Sequence, residues 1–256
     1  MNSIKVPKTF STQVLDMLQK INSFCKFKFD IHSSALEDIK YMDYIKIEHL
    51  YNSNAIEGNT LNYGDTARVI LDGLTIGGKP LKDHIELINC AYAYDFMEQL
   101  VKTSSVIRLV DVRDIHSIVL NHDLINRGRF RTSMVYISGS KTKVANPKDI
   151  TWLLQNLFKM YEECRDIHIL LRIAIFHCIF EQIHPFIDGN GRVGRLLMNL
   201  QLLQNDYHPV NIKFSDRIRY INGLEQAQVY DEFDDFVLLF LESLLDSIIK
   251  FNKTRE

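Results

Sequence analysis

Residues 184–195, HPFIDGNGRVGR, hold a histidine, an acid, an asparagine between two glycines, and two arginines three positions apart. Pro185 ends one helix, and the spacing Val193, Leu196, Leu197, Leu200 starts another. Asp188, Gly189, Asn190 and Gly191 therefore form the turn that feeds a helix N-terminus. Such a terminus offers unpaired backbone N–H groups and a partial positive charge, which suits an anion. Glycine on both sides of Asn190 allows a backbone nest and close approach by phosphate oxygens. Arg192 and Arg195, at i and i+3, reach the same anion from one side of the new helix. Asp188 is a hard oxygen ligand suited to Mg²⁺ shared with a di- or triphosphate. His184 is the group that accepts a proton near neutral pH. Each residue alone fits a plain helix–loop–helix turn, but such a turn has no use for the acid, the base and both arginines together.

The elements that must position these groups are mostly helical. Val14, Leu18, Ile21 and Cys25 mark one face of a first helix, and Ile85, Ile88, Ala91 and Leu100 a face of another. Pro147 opens a helix through Ile150, Leu153, Leu154 and Leu157. A further helix is predicted from about Asp166 to His184, and a last one from the acidic cluster Asp231, Glu232, Asp234 and Asp235. Only SMVYISGSKTKV, residues 133–144, reads as strand, a short hairpin about a Ser-Gly-Ser turn. Its GSKT is no Walker A loop, because Ser140 separates the glycine from the lysine and a strand pattern follows.

The 256 residues are 46% hydrophobic and 24% charged, with a net charge of −2, as expected of a soluble chain with a real core. No lysine- or arginine-rich block supports nucleic-acid binding through bulk charge. Cys25, Cys90, Cys164 and Cys178 form no CxxC pair and suggest reduced thiols. The N-terminus lacks a signal-peptide pattern, and the apolar stretch 238–249 is interrupted by Glu242 and Asp246, so a cytoplasmic protein with no membrane span is expected.

HPFIDGNGRVGR resembles the Fic-domain signature, HPFx(D/E)GNGRxxR, at every specified position. The resemblance runs back through GRFRTSMVYISGSKTKV, similar to the family's flap, and forward through MNLQLL, covering roughly residues 105 to 245. It implies a mostly α Fic-type helical bundle with one β-hairpin flap at 133–145. It also implies a helical N-terminal region, 1–104, followed by a catalytic domain, 105–256. By resemblance, the activity is transfer of AMP from ATP to a hydroxyl side chain of a target protein. His184 would be the base, Asp188 the Mg²⁺ ligand, and Gly189, Asn190 and Gly191 the anion hole. Arg192 would assist on the phosphates, Arg195 would grip the γ-phosphate, and Phe186 would anchor the loop. The flap would hold the target by β-augmentation.

SNAIEGN, residues 53–59, resembles the inhibitory motif (S/T)xxxE(G/N) of one class of the family. Ser53 and Glu57 lie i, i+4 on a helix that Gly58 terminates, and Glu57 would pair with Arg195 in place of the γ-phosphate. Some relatives use a corresponding glutamate to position water for removing AMP, so reversal of the modification, with Glu57 catalytic, stays open. Tyr220 stands where relatives place an aromatic residue near adenine, and Gln228 where some have an asparagine at the base. A second nucleotide, such as UTP or GTP, therefore stays open too. Gly191 argues against the kinase-like branch, which has lysine there. A nucleotide-sensing module of toxin–antitoxin type needs no base, so His184 argues against it. A homodimer is implied only through relatives. His177, seven residues before His184, is expected to be a packed side chain and not a partner of Asp188 on a metal. Gly194 has poor helix propensity and no role beyond close packing.

Overall fold

The computed structural model describes residues 6–7, 9–24, 29–103 and 106–254. Cys25 and the junction at residues 104 and 105 lie outside the described residues. Among them are ten α-helices: α1 (Thr12–Phe24), α2 (Leu36–Ile56), α3 (Tyr63–Leu71), α4 (Leu81–Thr103), α5 (Leu109–Val119), α6 (Ile150–Glu163), α7 (Ile169–Ile183), α8 (Asn190–Leu203), α9 (Arg217–Tyr230) and α10 (Asp234–Thr254). Pro147 opens a single 3₁₀ turn, Pro147–Asp149, that runs into α6.

The centre is α7 against α8. Their residues Phe176, Phe180, Ile183, Leu196, Leu197 and Leu200 are almost wholly removed from water. Around this pair pack α4 and α5 on α8, and α6, α9 and α10 on α7, while α1 lies along α10. One apolar cluster joins side chains from α1 to those of α10, with a smaller one under Leu50, Leu61, Val69 and Leu87. The expected face of α1 holds, with Val14, Leu18 and Ile21 buried.

The expected face of α4 holds only in part. Ala91 is buried and Ile85 and Leu100 are half-buried, but Ile88 is exposed, whereas Leu87, Cys90, Tyr94 and Met97 are buried as well. α4 touches α2, α3, α5 and α8, so burial comes from several sides and one stripe of apolar residues cannot mark it.

The hairpin is also absent. Residues 133–145 run without ladder pairing, and no strand occurs among the described residues. The chain keeps only the turn, with Ser140 N–H donating to Ile137 C=O at 3.2 Å and Gly139 at φ 75°. Its polar groups are taken elsewhere. Arg131 donates to the carbonyls of Ser133 (2.9 Å) and Ala145 (2.6 Å) at the two ends of the segment. At the tip, Ser140 Oγ donates to Glu225 of α9 (2.7 Å) and Thr142 Oγ1 to Gln228 (2.8 Å). The β-branched pattern was a fair strand signal, but side chains from outside the segment won its hydrogen bonds.

Candidate active site

The loop between α7 and α8 is built by local hydrogen bonds. His184 follows α7 in the left-handed region, φ 50° and ψ 61°, and turns the chain sharply. The Asn190 side chain closes the turn, accepting from Phe186 N–H (2.9 Å) and donating to Phe186 C=O (3.0 Å). Gly189 sits at φ 79° just before α8, an angle that glycine adopts without strain. Asn190 thus serves as a brace for the loop, with its backbone at the N-terminus of α8.

Two residues that the sequence did not single out hold the loop in place. The His116 ring, on α5, stacks on Phe186 with centroids 3.6 Å apart and planes within 5°. Gly128 N–H donates to His116 Nδ1 (2.9 Å), which leaves Nε2–H to donate to the Asp188 carbonyl (3.0 Å). Burial pushes this imidazole down to about 4, so it stays neutral. Arg131, besides its flap contacts, donates to the His184 carbonyl at 2.7 Å. Nothing in the spacing of His116 or Arg131 marks them, since the partners that tie them to the loop lie more than fifty residues away in sequence.

His184 is half-buried, and its Nδ1 lies 3.3 Å from the Glu181 carbonyl. An Nδ1–H donated there leaves Nε2 with the free lone pair. Burial lowers its pKa, and nearby Arg131 adds to this, so the imidazole is a neutral base at pH 7.

The two arginines are buried and not on a solvated face. Arg195 is satisfied all round. Its Nε donates to Ser53 Oγ (2.9 Å), and its Nη2 donates to Ser53 C=O (2.9 Å) and to Glu57 Oε1 (2.7 Å). Its Nη1 reaches Tyr220 OH (3.3 Å). Burial alone would depress this guanidinium, but Tyr220 and Glu57 outweigh it and hold it charged. Arg192 is less well served. Its Nη2 lies 3.4 Å from Asp188 and its Nη1 3.5 Å from Glu86 of α4, while Nε has no hydrogen-bond partner among the described residues.

Glu57 reaches this site from the C-cap of α2, where Gly58 at φ 96° ends the helix. The last turn of α2 is pinned to the later half of the chain: Arg217 Nε donates to Ile56 C=O (2.8 Å), and Phe214 N–H to the Asn52 side chain (2.8 Å). A Cβ built on Gly191 would run into Glu57 Oε1, so the carboxylate occupies the space above the α8 N-terminus. Gly194 has a matching reason, because a Cβ there would meet Glu181 Oε1. Glu57, Gly191 and Arg195 line a cavity of about 210 Å³ together with His184, Glu181, Tyr220 and Gln228.

Tyr220 is buried, with its hydroxyl between Arg195 and His177 Nε2 (2.9 Å). Gln228 accepts from Thr142 and donates to the Cys178 carbonyl (3.0 Å), so its amide is already engaged. His177 is packed, as expected, stacked on Phe236 at 5.3 Å. Among the described residues no group of three or more His, Cys, Asp or Glu converges as a metal cage. Asp188, whose carboxylate is 58% exposed, is a single hard donor.

Comparisons with known proteins agree on one family. The Fic/DOC family profile matches residues 106–202. A protein adenylyltransferase Fic from Nematostella vectensis is 32% identical over 241 residues, covering 91% of this chain and 56% of the relative. The chain thus spans about half the length of the curated relatives it matches. Fic-1 from C. elegans has a TM-score of 0.83 at 28% identity, covering 95% of this chain and 72% of that one. A Fic domain containing signaling protein from Bacteroides thetaiotaomicron gives 0.80 at 25% identity, with 95% and 96% covered. The signature loop, the helices that carry it and these likenesses together place the chain in the Fic/DOC family.

Proposed function

We propose that the chain is a protein adenylyltransferase that moves AMP from Mg-ATP to a hydroxyl side chain of a target protein, and that Glu57 holds it in check. The observation that carries this is the join of a neutral His184, the N-terminus of α8 and a buried Arg195 in one cavity, with Glu57 standing over them. The target hydroxyl oxygen attacks the α-phosphorus, the bond to the bridging oxygen of the β-phosphate breaks, and pyrophosphate leaves. His184 Nε2 takes the hydroxyl proton, with Nδ1–H anchored on the Glu181 carbonyl. The N–H groups at Gly191 and Arg192 and the two guanidinium groups bind the phosphates, which need charge neutralisation and in-line placement above all.

A lone exposed carboxylate fits Mg²⁺, an ion that keeps several waters and takes its other ligands from substrate phosphates. Asp188 would hold it, and bound there it would neutralise the charge that develops on the leaving pyrophosphate. Tyr220 supports Arg195 through its hydroxyl and ring, and so acts on the phosphate end of the nucleotide instead of on adenine. Residues 133–145 pass beside the cavity, which Ile137, Ser138 and Ser140 line, and leave Met134 and Tyr136 exposed, so a target segment could pair with the backbone there in the manner of an added strand.

In this account the part before residue 105 is the regulatory half and the part after it the catalytic half. Glu57 on Arg195 stands where the terminal phosphate belongs. A hydrogen bond between charged groups is worth about 1.5–3 kcal/mol, and the lower end applies because Glu57 is half exposed. That is enough to cut the competent population about tenfold. The half-exposed Glu57 carboxylate also faces the cavity that His184 lines, a position from which it can orient water to remove AMP. ATP labelled at the α- or the γ-phosphate tests the proposal. Label from the α-phosphate on protein supports it, label from the γ-phosphate means phosphorylation, and loss of α-label from a modified target means removal.

A further inference from the structure

Glu181 has no part in the chemistry above beyond its backbone, yet it is the most unusual side chain in the cavity. It is 6% exposed, and its Oε1 has no hydrogen-bond partner among the described residues. An uncompensated buried carboxyl is costly, and a fold retains one where something else uses it. Room is kept for it, since Gly194 lacks the Cβ that would collide with it. It lines the same cavity as Gly191 and Arg195. We propose that Glu181 is a further nucleotide-binding residue, presenting a neutral carboxyl that donates a hydrogen bond to the phosphate oxygen held at Arg195. The inference rests on the nucleotide assignment of the site made above.

The electrostatics agree with the geometry. Burial raises the Glu181 carboxyl to about 8 against the pull of Arg195, and Glu57 raises it further. The titratable and charged groups around it are Glu57 at the α2 C-cap, Arg195 from α8, Arg217, Tyr220 and Glu225 from α9, His177 on its own helix and His184 just after that helix. Burial keeps His177 neutral, pushed down to about 3, and lowers His184, while the Tyr220 hydroxyl is raised far above neutral. Glu181 is therefore the group that titrates on the alkaline side. When Glu57 withdraws, one raising charge goes; when a phosphate arrives, a negative charge returns and the proton is held again. Nucleotide binding is thus coupled to uptake of a proton by Glu181. Ionised, the same carboxylate would repel the phosphate.

The test uses the full chain carrying Glu57→Gly, with and without Glu181→Gln, whose amide keeps a donor at every pH. Calorimetry would measure the affinity for Mg-ATP and Mg-ADP between about pH 6.5 and 9, in two buffers of different ionisation enthalpy. The expected result is an affinity for ATP that falls roughly tenfold across that range in the Glu57→Gly protein, with proton uptake on binding. ADP is expected to change less, and Glu181→Gln is expected to flatten the ATP profile and abolish the uptake. A Glu181→Gln profile as steep as its parent's, or no proton uptake in the parent, would overturn the inference while leaving the nucleotide site intact. No binding of ATP by the Glu57→Gly protein at any pH would overturn the nucleotide assignment itself, and this inference with it.

Discussion

Arg195 and Arg192 lie one helical turn apart and are equally buried, yet their surroundings differ sharply. Arg195 has Ser53, Glu57 and Tyr220 around it, with contacts between 2.7 and 3.3 Å. Arg192 has only two loose ion pairs, at 3.4 and 3.5 Å, and an Nε with no partner among the described residues. One end of the proposed anion site is filled by the carboxylate of Glu57 at the α2 C-cap, while the other has only the two longer contacts to Asp188 and Glu86. A buried guanidinium whose Nε has no hydrogen-bond partner among the described residues is unfavourable, which in the proposed function suits the Arg192 end to an incoming phosphate. On the proposed reading, the difference places the brake at the Arg195 end alone, where Glu57 sits.

This contrast can be tested in order of expected effect. His184→Ala touches neither arginine; it is expected to keep ATP binding and to lose at least about a hundredfold in transfer, measured with α-labelled ATP in a Glu57→Gly background. Transfer near the parent rate would take the base role away from His184. Glu57→Gly empties the closed end, and self-modification is expected to rise about tenfold or more. Ser53→Ala removes one of several contacts on Arg195, so a smaller gain, about fivefold, is expected. An effect as large as that of Glu57→Gly would shift the brake from the carboxylate to the serine.

The last effect is on stability. Burial lowers His49 and His177 to about 3 and His116 to about 4. A histidine held neutral in the fold contributes stability above its unfolded pKa of about 6.5, and that stability is lost as pH falls toward the folded value. Urea unfolding is expected to show stability falling by up to ~1.4 kcal/mol per pH unit per histidine below about pH 6, with His116→Phe shallower than the parent. An unchanged slope would mean that burial does not hold His116 neutral in the fold.

Much of the site was legible because it is contiguous. One twelve-residue stretch contains the proposed base, the acid, the turn and both arginines, and helix periodicity placed it between α7 and α8. The helices α1, α6, α7 and α10 announced themselves through a proline, an acidic cluster or one apolar face. What stayed hidden depends on distant partners. The hairpin pattern at 133–145 was overridden by Arg131, Glu225 and Gln228, none of which the strand signal contains. The multiply packed α4 has no single stripe to read. His116 and Glu181 look like ordinary helix residues until the chain folds one against the Asp188 carbonyl and the other against Gly194. Gly194 itself, puzzling inside a helix, is explained only by the side chain that needs its space.

The central claim is that a complete AMP-transfer site is held closed by Glu57 on Arg195. Intact-mass spectrometry of the wild-type, Glu57→Gly and Glu57→Gly/His184→Ala proteins after incubation with Mg-ATP tests it most directly. The account predicts the added mass of AMP on the Glu57→Gly protein, little on wild type and none on the double variant. Equal modification of all three, or an unmodified Glu57→Gly protein that binds ATP, would contradict it.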